Sequence, residues 1–488
     1  MPQITKRALL AAGGLGLAAG PALAQPAGGP FVTRHTGVFG GRRIDYVATV
    51  GETLVPGIDG QPIARFVSTS YVAAGADPAK RPVLFAFNGG PSSSSATLHM
   101  LALGPKRIVV AQDPKAPPLP PTLTDNTQTV LDVADLVFVD PAETGFSRLL
   151  PGGRREYVYS VEGDGQSVSN FVVAWARANG REASPKYVLG ESYGTMRAAM
   201  MAGQLAKVMP LDGVFLFGQA VNMIETSQRA KNVIAYATNL PALAAIAAYH
   251  GRATVKARSM NALIDETYAW GMGEYLQALI RGHDLPQAER RRIAARLQAY
   301  TGIDAGYYLA NDLVITKIAF AREFSKGQVL GTYDARYIGP AAKPGERPAD
   351  PFAPTIAAIR PMMLEHYAKT LGVTWPASDY RSAAPDTGRW NWNGTLGPGG
   401  PFLDYDYQAR ISEAFRANPR FRLVIGTGIY DLTTTVGPAR YLVTKSDYPR
   451  DRVFQRQYEG GHMAYTHLPS LKAFTDDIRV WLGGGKPA

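Results

Sequence analysis

Short apolar runs, each closed by small or polar residues, recur along this chain and set its plan. Val83–Phe87, Leu136–Val139, Tyr187–Leu189, Val214–Phe217 and Arg422–Ile425 have the pattern of strands buried on both faces. Between several of them, apolar positions return at helical spacing. Val168, Phe171, Val172 and Trp175 fall at i, i+3, i+4 and i+7. Buried strands alternating with helices predict a mostly parallel sheet covered by helices on both faces. Ahead of these runs, Arg43–Val50 and Ile63–Ala73 alternate like half-buried strands. Turn residues at Gly57–Pro62 join them, which predicts an antiparallel hairpin.

From about Val221 the rhythm changes. Helical patterns at Ala230–Tyr249, Ala262–Ile280 and Gln287–Tyr300 are separated by loops rich in Pro, Gly and Asp, and the α/β pattern resumes at Phe421. The expected organisation is an α/β core over residues 25–220, a large, mainly helical cap insertion over 221–404, and the rest of the core over 405–488. A separate second domain is the alternative. No internal repeat is evident. Pro114–Pro121 and Gly339–Pro354 read as extended connectors.

Residues 1–24 have a different character. Lys6 and Arg7 precede the apolar stretch Ala8–Ala19, and Ala22-Leu23-Ala24 supplies small residues at a cleavage position before Gln25. This is the layout of a secretory signal peptide, with cleavage expected after Ala24. Lys6-Arg7 also approaches a twin-arginine signal, so Sec and Tat routes both stay open. The mature chain is expected to be soluble and exported, periplasmic or secreted, with no membrane association.

Composition narrows the chemistry. Of 488 residues 46% are apolar and 19% charged, enough for a large core. There is no cysteine, which excludes disulfides, thiolate metal sites and a cysteine nucleophile. Lys and Arg number 51 against 40 Asp and Glu. The one dense basic run, Arg290–Arg292, lies in a helical pattern whose Ile293 and Leu297 face inward, so it reads as a solvated helix face and not a nucleic-acid site. The histidines show no metal-binding H-E-x-x-H spacing, and no cofactor is expected.

Gly190-Glu191-Ser192-Tyr193-Gly194 is a G-x-S-x-G pattern between a strand-like run and the helical pattern Met196–Val208. That setting is what a nucleophile elbow requires. Glycines flank the serine because side chains there would collide with neighbouring backbone in so tight a turn. A serine hydroxyl needs a base to take its proton. Of seven histidines, His462 fits best: it follows the strand-like Arg452–Tyr458 in a Gly460-Gly461 turn, with His467 as its rival. Asp431 after Gly426-Thr427-Gly428 fits the acid, with Asp447 and Asp451 nearer in sequence to His462. The oxyanion needs two backbone donors. The Tyr193 amide is one, and the loop Phe87–Pro91 after an earlier strand is placed to give the other.

Together these segments resemble the serine carboxypeptidases of α/β-hydrolase fold, especially their bacterial branch. Asn88–Ser95 resembles the family's NGGPG-x-SS loop, and Asp140–Ser147 its DP-x-GTGFS segment. Gly190–Gly194 matches GESYG, Gly428–Asp431 the loop of the triad aspartate, and Gly461-His462-Met463 the family's GHM. The resemblance implies Ser192 as nucleophile, Asp431 as orienting acid, His462 as base, and Gly90 and Tyr193 as the oxyanion hole. It also implies that Asn88 and Glu191 bind the terminal carboxylate of a peptide.

The family's tryptophan and second glutamate of that clamp are replaced here by Ala86 and Ala102, and Ser92 and Glu143 stand where glycines are usual. His99, one helical turn before Ala102, is either a substitute polar group or an ordinary helix histidine. Without a carboxyl partner, Glu191 is expected to stay protonated over a narrower range, giving a less acidic optimum than is usual in the family. The implied activity is that of a secreted serine-type carboxypeptidase acting through an acyl-enzyme. An esterase or acyltransferase on the same triad is the alternative, and a catalytically silent binding protein a third reading. The expected partner is a peptide or small acyl substrate. Oligomeric state is not legible.

Overall fold

The computed structural model describes residues 29–229, 231–343, 348–392 and 405–487. The signal-peptide segment and the expected insertion end at residue 404 lie outside them. A ten-stranded mixed sheet forms the centre. Its main strands are β1 (Phe31–Phe39), β2 (Arg42–Pro56), β3 (Pro62–Ala73), β4 (Val83–Phe87), β5 (Asp135–Val139), β6 (Lys186–Glu191), β7 (Gly213–Phe217), β8 (Arg422–Gly428) and β9 (Val453–Tyr458). They lie in the order β1-β2-β3-β5-β4-β6-β7-β8-β9, and the short strand Arg148–Leu149 pairs with β3. The first three strands are antiparallel, as is the β3–β5 pair, whereas β5, β4, β6, β7, β8 and β9 run parallel. This is the α/β-hydrolase fold, with the hairpin expected from the alternating runs at its antiparallel edge.

Period-two alternation divides the core between the two faces. In β4, Val83, Phe85 and Phe87 join one cluster, while Leu84 and Ala86 join the other. The first face is covered by α1 (Val161–Ala178), α2 (Tyr193–Leu205) and α6 (Tyr407–Ala417), through Phe171, Met200 and Ile411 among others. The second is covered by α8 (Leu468–Leu482), which buries Leu471, Phe474, Ile478 and Trp481.

Between β7 and β8 the described residues are largely helical, including α3 (Val233–Tyr249), α4 (Gln287–Thr301) and α5 (Lys317–Ser325). These helices share a third core cluster, which also takes in Ile429, Tyr430 and Leu432. The stretch Ala262–Ile280, expected as one helix, is Met260–Trp270 and Leu276–Arg281 joined by a π-helical turn over Gly271–Tyr275. Ile293 and Leu297 of α4 are buried and Arg291 and Arg292 face outward, whereas Arg290, expected on the same solvated face, is largely covered, bonding the Gly282 carbonyl and pairing with Asp312. The helix α7 (Val436–Lys445) follows β8.

Candidate active site

Ser192 sits between β6 and α2 with φ 58° and ψ −129°, a conformation L-residues rarely adopt. Its amide donates to the Phe217 carbonyl at 2.9 Å, which fastens the turn to the end of β7. The residues around it are buried while Ser192 itself is partly exposed. A Cβ on Gly190 would lie 2.2 Å from the Gly194 oxygen, so the flanking glycine answers a real backbone approach.

The loop after β4 lies directly against this turn. A Cβ on Gly89 would fall 2.5 Å from the Tyr193 nitrogen and 2.6 Å from the Glu191 oxygen. Gly90, next along, has φ 108° and precedes a cis Pro91. The Tyr193 amide opens α2, where the first turn leaves N–H groups without helical partners. A buried network holds loop and helix together: Arg197 donates to the Asn88 carbonyl at 2.8 Å and to Asp164 at 2.7 Å, and the Tyr193 hydroxyl reaches Asp164 at 3.0 Å.

The acid and base meet on the other side of the serine turn. His462 Nδ1 lies 2.7 Å from Asp431 Oδ2, and both side chains are buried. Asp431 also accepts the Thr433 amide at 2.6 Å, the Thr434 amide at 3.1 Å and the Thr434 hydroxyl at 2.6 Å. Thr434 Oγ1 is 3.2 Å from His462 Nδ1. Gly218, one residue past the carbonyl that holds Ser192, abuts the imidazole: a Cβ there would lie 3.2 Å from His462 Cε1. Ser192 and His462 therefore flank the same point at the end of β7. Burial pushes the imidazole toward neutrality, but the charge and hydrogen bond of Asp431, helped by Glu191, more than offset it and raise its pKa above the ordinary value.

The rivals lie elsewhere. His467 pairs with Ser470 at 3.0 Å, Asp447 takes the Ser412 hydroxyl, and Asp451 lies in the short helical turn Arg450–Arg452.

A segment that sequence reasoning missed ties the acid and base loops together. The Thr332 and Tyr333 carbonyls accept the amides of Leu432 and His462, the Ala335 amide donates to the Tyr430 carbonyl, and Asp334 accepts the Gly461 amide at 3.0 Å. Asp334 is fixed by a buried 2.7 Å ion pair with Arg336. Nothing local in Thr332–Arg336 marks it, because its role is set by chain approaching from about 100 residues away.

Asn88 and Glu191 come together with a third residue not anticipated, Tyr465. Its hydroxyl donates to Glu191, and the Asn88 side chain lies close enough to both to help hold their charged forms. Asn88 Oδ1 is occupied by the Leu98 amide at 2.9 Å, which turns its NH2 toward the cluster. Burial lifts the Glu191 carboxyl to about 7, with His462 and Tyr465 pulling the other way. Burial alone thus keeps the Glu191 carboxyl protonated toward neutrality without a carboxyl partner. His99 is no substitute partner. It bonds the Tyr71 hydroxyl at 2.7 Å and stacks on Phe138, away from Glu191. Glu143, at φ 64° where glycine is usual, is held by Arg381.

The serine carboxypeptidase family model matches residues 70–210, bearing out the resemblance over the stretch that holds Asn88, Gly90 and Ser192. No curated protein matches the sequence. Solved structures similar to this chain include a proline iminopeptidase from Mycobacterium smegmatis, 15% identical, covering 89% of this chain and 98% of that one at a TM-score of 0.38. An esterase from Thermogutta terrifontis is 12% identical over 89% and 98% at 0.35, and an Aspergillus niger epoxide hydrolase 12% over 89% and 78% at 0.37. The family match spans the strained serine turn and the glycine loop facing it, and supports a serine hydrolase.

Proposed function

We propose that the chain is a serine-type carboxypeptidase, with Ser192 as nucleophile, His462 as general base and Asp431 as its orienting acid. The observation that carries this reading is the buried Asn88–Glu191–Tyr465 cluster beside the strained serine. His462 takes the Ser192 proton as the hydroxyl oxygen attacks the scissile carbonyl. The Gly90 and Tyr193 amides hold the resulting oxyanion. His462 returns the proton to the leaving amine, and water then releases the acyl group by the reverse sequence. Each oxyanion donor contributes about 3–4 kcal/mol to transition-state stabilisation.

In this reading the neutral Glu191 carboxyl and the Asn88 amide donate to the substrate's terminal carboxylate. Two protonation states then set the pH window. His462 must be neutral, which favours pH above its raised pKa, and Glu191 must be protonated, which fails as pH passes about 7. The optimum is therefore near neutrality, less acidic than the family's usual range. KM for a free-acid peptide is expected to rise above pH 7 as Glu191 ionises and repels the substrate, whereas the amidated peptide shows no such rise. Glu191→Gln removes that limb and leaves the limb from His462. Initial-rate profiles of one peptide as acid and amide check this, and equal turnover of the two forms across pH would favour the esterase or acyltransferase reading. The replacement of two clamp positions by Ala86 and Ala102 is what keeps that second reading in view.

We further propose that the helical stretch before β8 caps the site, and that the protein is exported with its processed chain beginning at Gln25. An exported form whose intact mass includes residues before Gln25 would refute the latter.

A further inference from the structure

A second cleft adjoins the His462–Asp431 pair, apart from the Asn88–Glu191–Tyr465 cluster. It encloses about 200 Å³, roughly six or seven waters at ~30 Å³ each. Thr434, which bonds both Asp431 and His462, forms one wall. Ala220 forms another, and its amide donates to Thr195 Oγ1, which in turn donates to the Ser192 carbonyl. The remaining lining includes Gln219, Asn239 and Thr226, so the surface is rich in amides and hydroxyls.

Lys317 is the one charged residue among the described residues lining this cleft. It is half-buried at the first position of α5, where a cation opposes the helix dipole, so helix stability does not account for it. Its backbone is pinned by the Gln228 side chain at 2.8 Å, and its ammonium donates to the Thr433 carbonyl at 2.7 Å. That uses one of three donors. No carboxylate of the described residues lies within 4.0 Å of the ammonium. Burial lowers its pKa, with the charge of Asp431 working against that. An ammonium held in a polar cleft with no carboxylate in direct contact is suited to an incoming anion.

We propose that this cleft is a specificity pocket in which Lys317 binds an acidic side chain on the acyl residue of the substrate, giving a preference for glutamate over its uncharged isostere. The inference rests on the carboxypeptidase reading for its choice of side: the Asn88–Glu191–Tyr465 cluster takes the leaving residue's carboxylate, which leaves the acyl residue's side chain for this cleft.

The test compares 4-nitrophenyl esters of N-acetylglutamate and N-acetylglutamine, alongside N-acetyl-Ala-Ala as free acid and amide. The wild-type protein is expected to favour the glutamate ester by about 10- to 100-fold in kcat/KM, the range of a charged hydrogen bond. Lys317→Met brings that ratio near one, and Lys317→Glu reverses it. The ratio within each variant is the readout, so a change in absolute rate does not obscure it, and fluorophosphonate labelling of Ser192 reports that each variant has folded. Equal turnover of the two esters by wild type overturns the pocket while leaving the serine-hydrolase reading intact, as does a glutamate preference that survives Lys317→Met. If Lys317→Met instead abolishes only the preference for N-acetyl-Ala-Ala acid over amide, the cleft binds the terminal carboxylate and the proposal is wrong. Ester hydrolysis with no dipeptide cleavage sinks the carboxypeptidase reading, yet the ester ratio still judges Lys317.

Discussion

Ser192→Ala lowers kcat by about 10⁶, the loss expected when the nucleophile of a coupled triad is removed. The substitution keeps a Cβ in place, so the strain of φ 58° and ψ −129° is unchanged and so is the amide bond to Phe217. Stability should therefore shift little, and activity loss with an unchanged melting temperature separates chemistry from folding. Labelling by a fluorophosphonate should vanish as well. Turnover within tenfold of the wild type would move the nucleophile to another residue and undo the mechanism.

The next largest effect is expected from Asp431→Asn, about 10⁴ in kcat, by analogy with the loss seen when a triad aspartate becomes asparagine. The local bonds say why. Asp431 Oδ1 accepts two amides, from Thr433 and Thr434, so the asparagine oxygen stays there. The new NH2 then faces His462 Nδ1 and the Thr434 hydroxyl in place of an acceptor. His462 must put its proton on Nε2, the nitrogen that has to receive the serine proton. The imidazole is thus locked in the wrong tautomer. A pH–rate profile at saturating peptide measures the loss, and a decrease of less than tenfold would show that Asp431 does not set the tautomer.

Much of the fold was legible in the sequence because its strands are buried on both faces. Such runs stand out as apolar blocks, and Val83–Phe87 coincides with β4 residue for residue. β1 went unread although its burial alternates along Phe31–Phe39. Its two sides carry Thr, Arg, His and Val in a mixture that composition does not separate. The candidate site divides in the same way. Ser192 and the glycine loop are local motifs whose geometry is dictated by their own backbone, so a short pattern reveals them. Tyr465, Thr434 and Lys317 act only through what tertiary packing brings beside them. Tyr465 is 274 positions from the Glu191 it bonds, and no spacing rule reaches that far. The lift of the Glu191 carboxyl is hidden for a related reason: it comes from burial, which a sequence does not display.

The bracket formed by Thr332–Arg336 has a consequence for redesign. Because those five residues clasp the aspartate loop on one side and the histidine loop on the other, the stretch that contains them is not an ornament to be trimmed or exchanged like a cassette. A shortened chimera lacking the clasp would leave imidazole and carboxylate on two turns held together only by the Ile429–Tyr458 and Tyr430–Gly460 backbone bonds and by their own contact. Any graft meant to alter substrate choice should cut on either side of this clasp and carry it across intact.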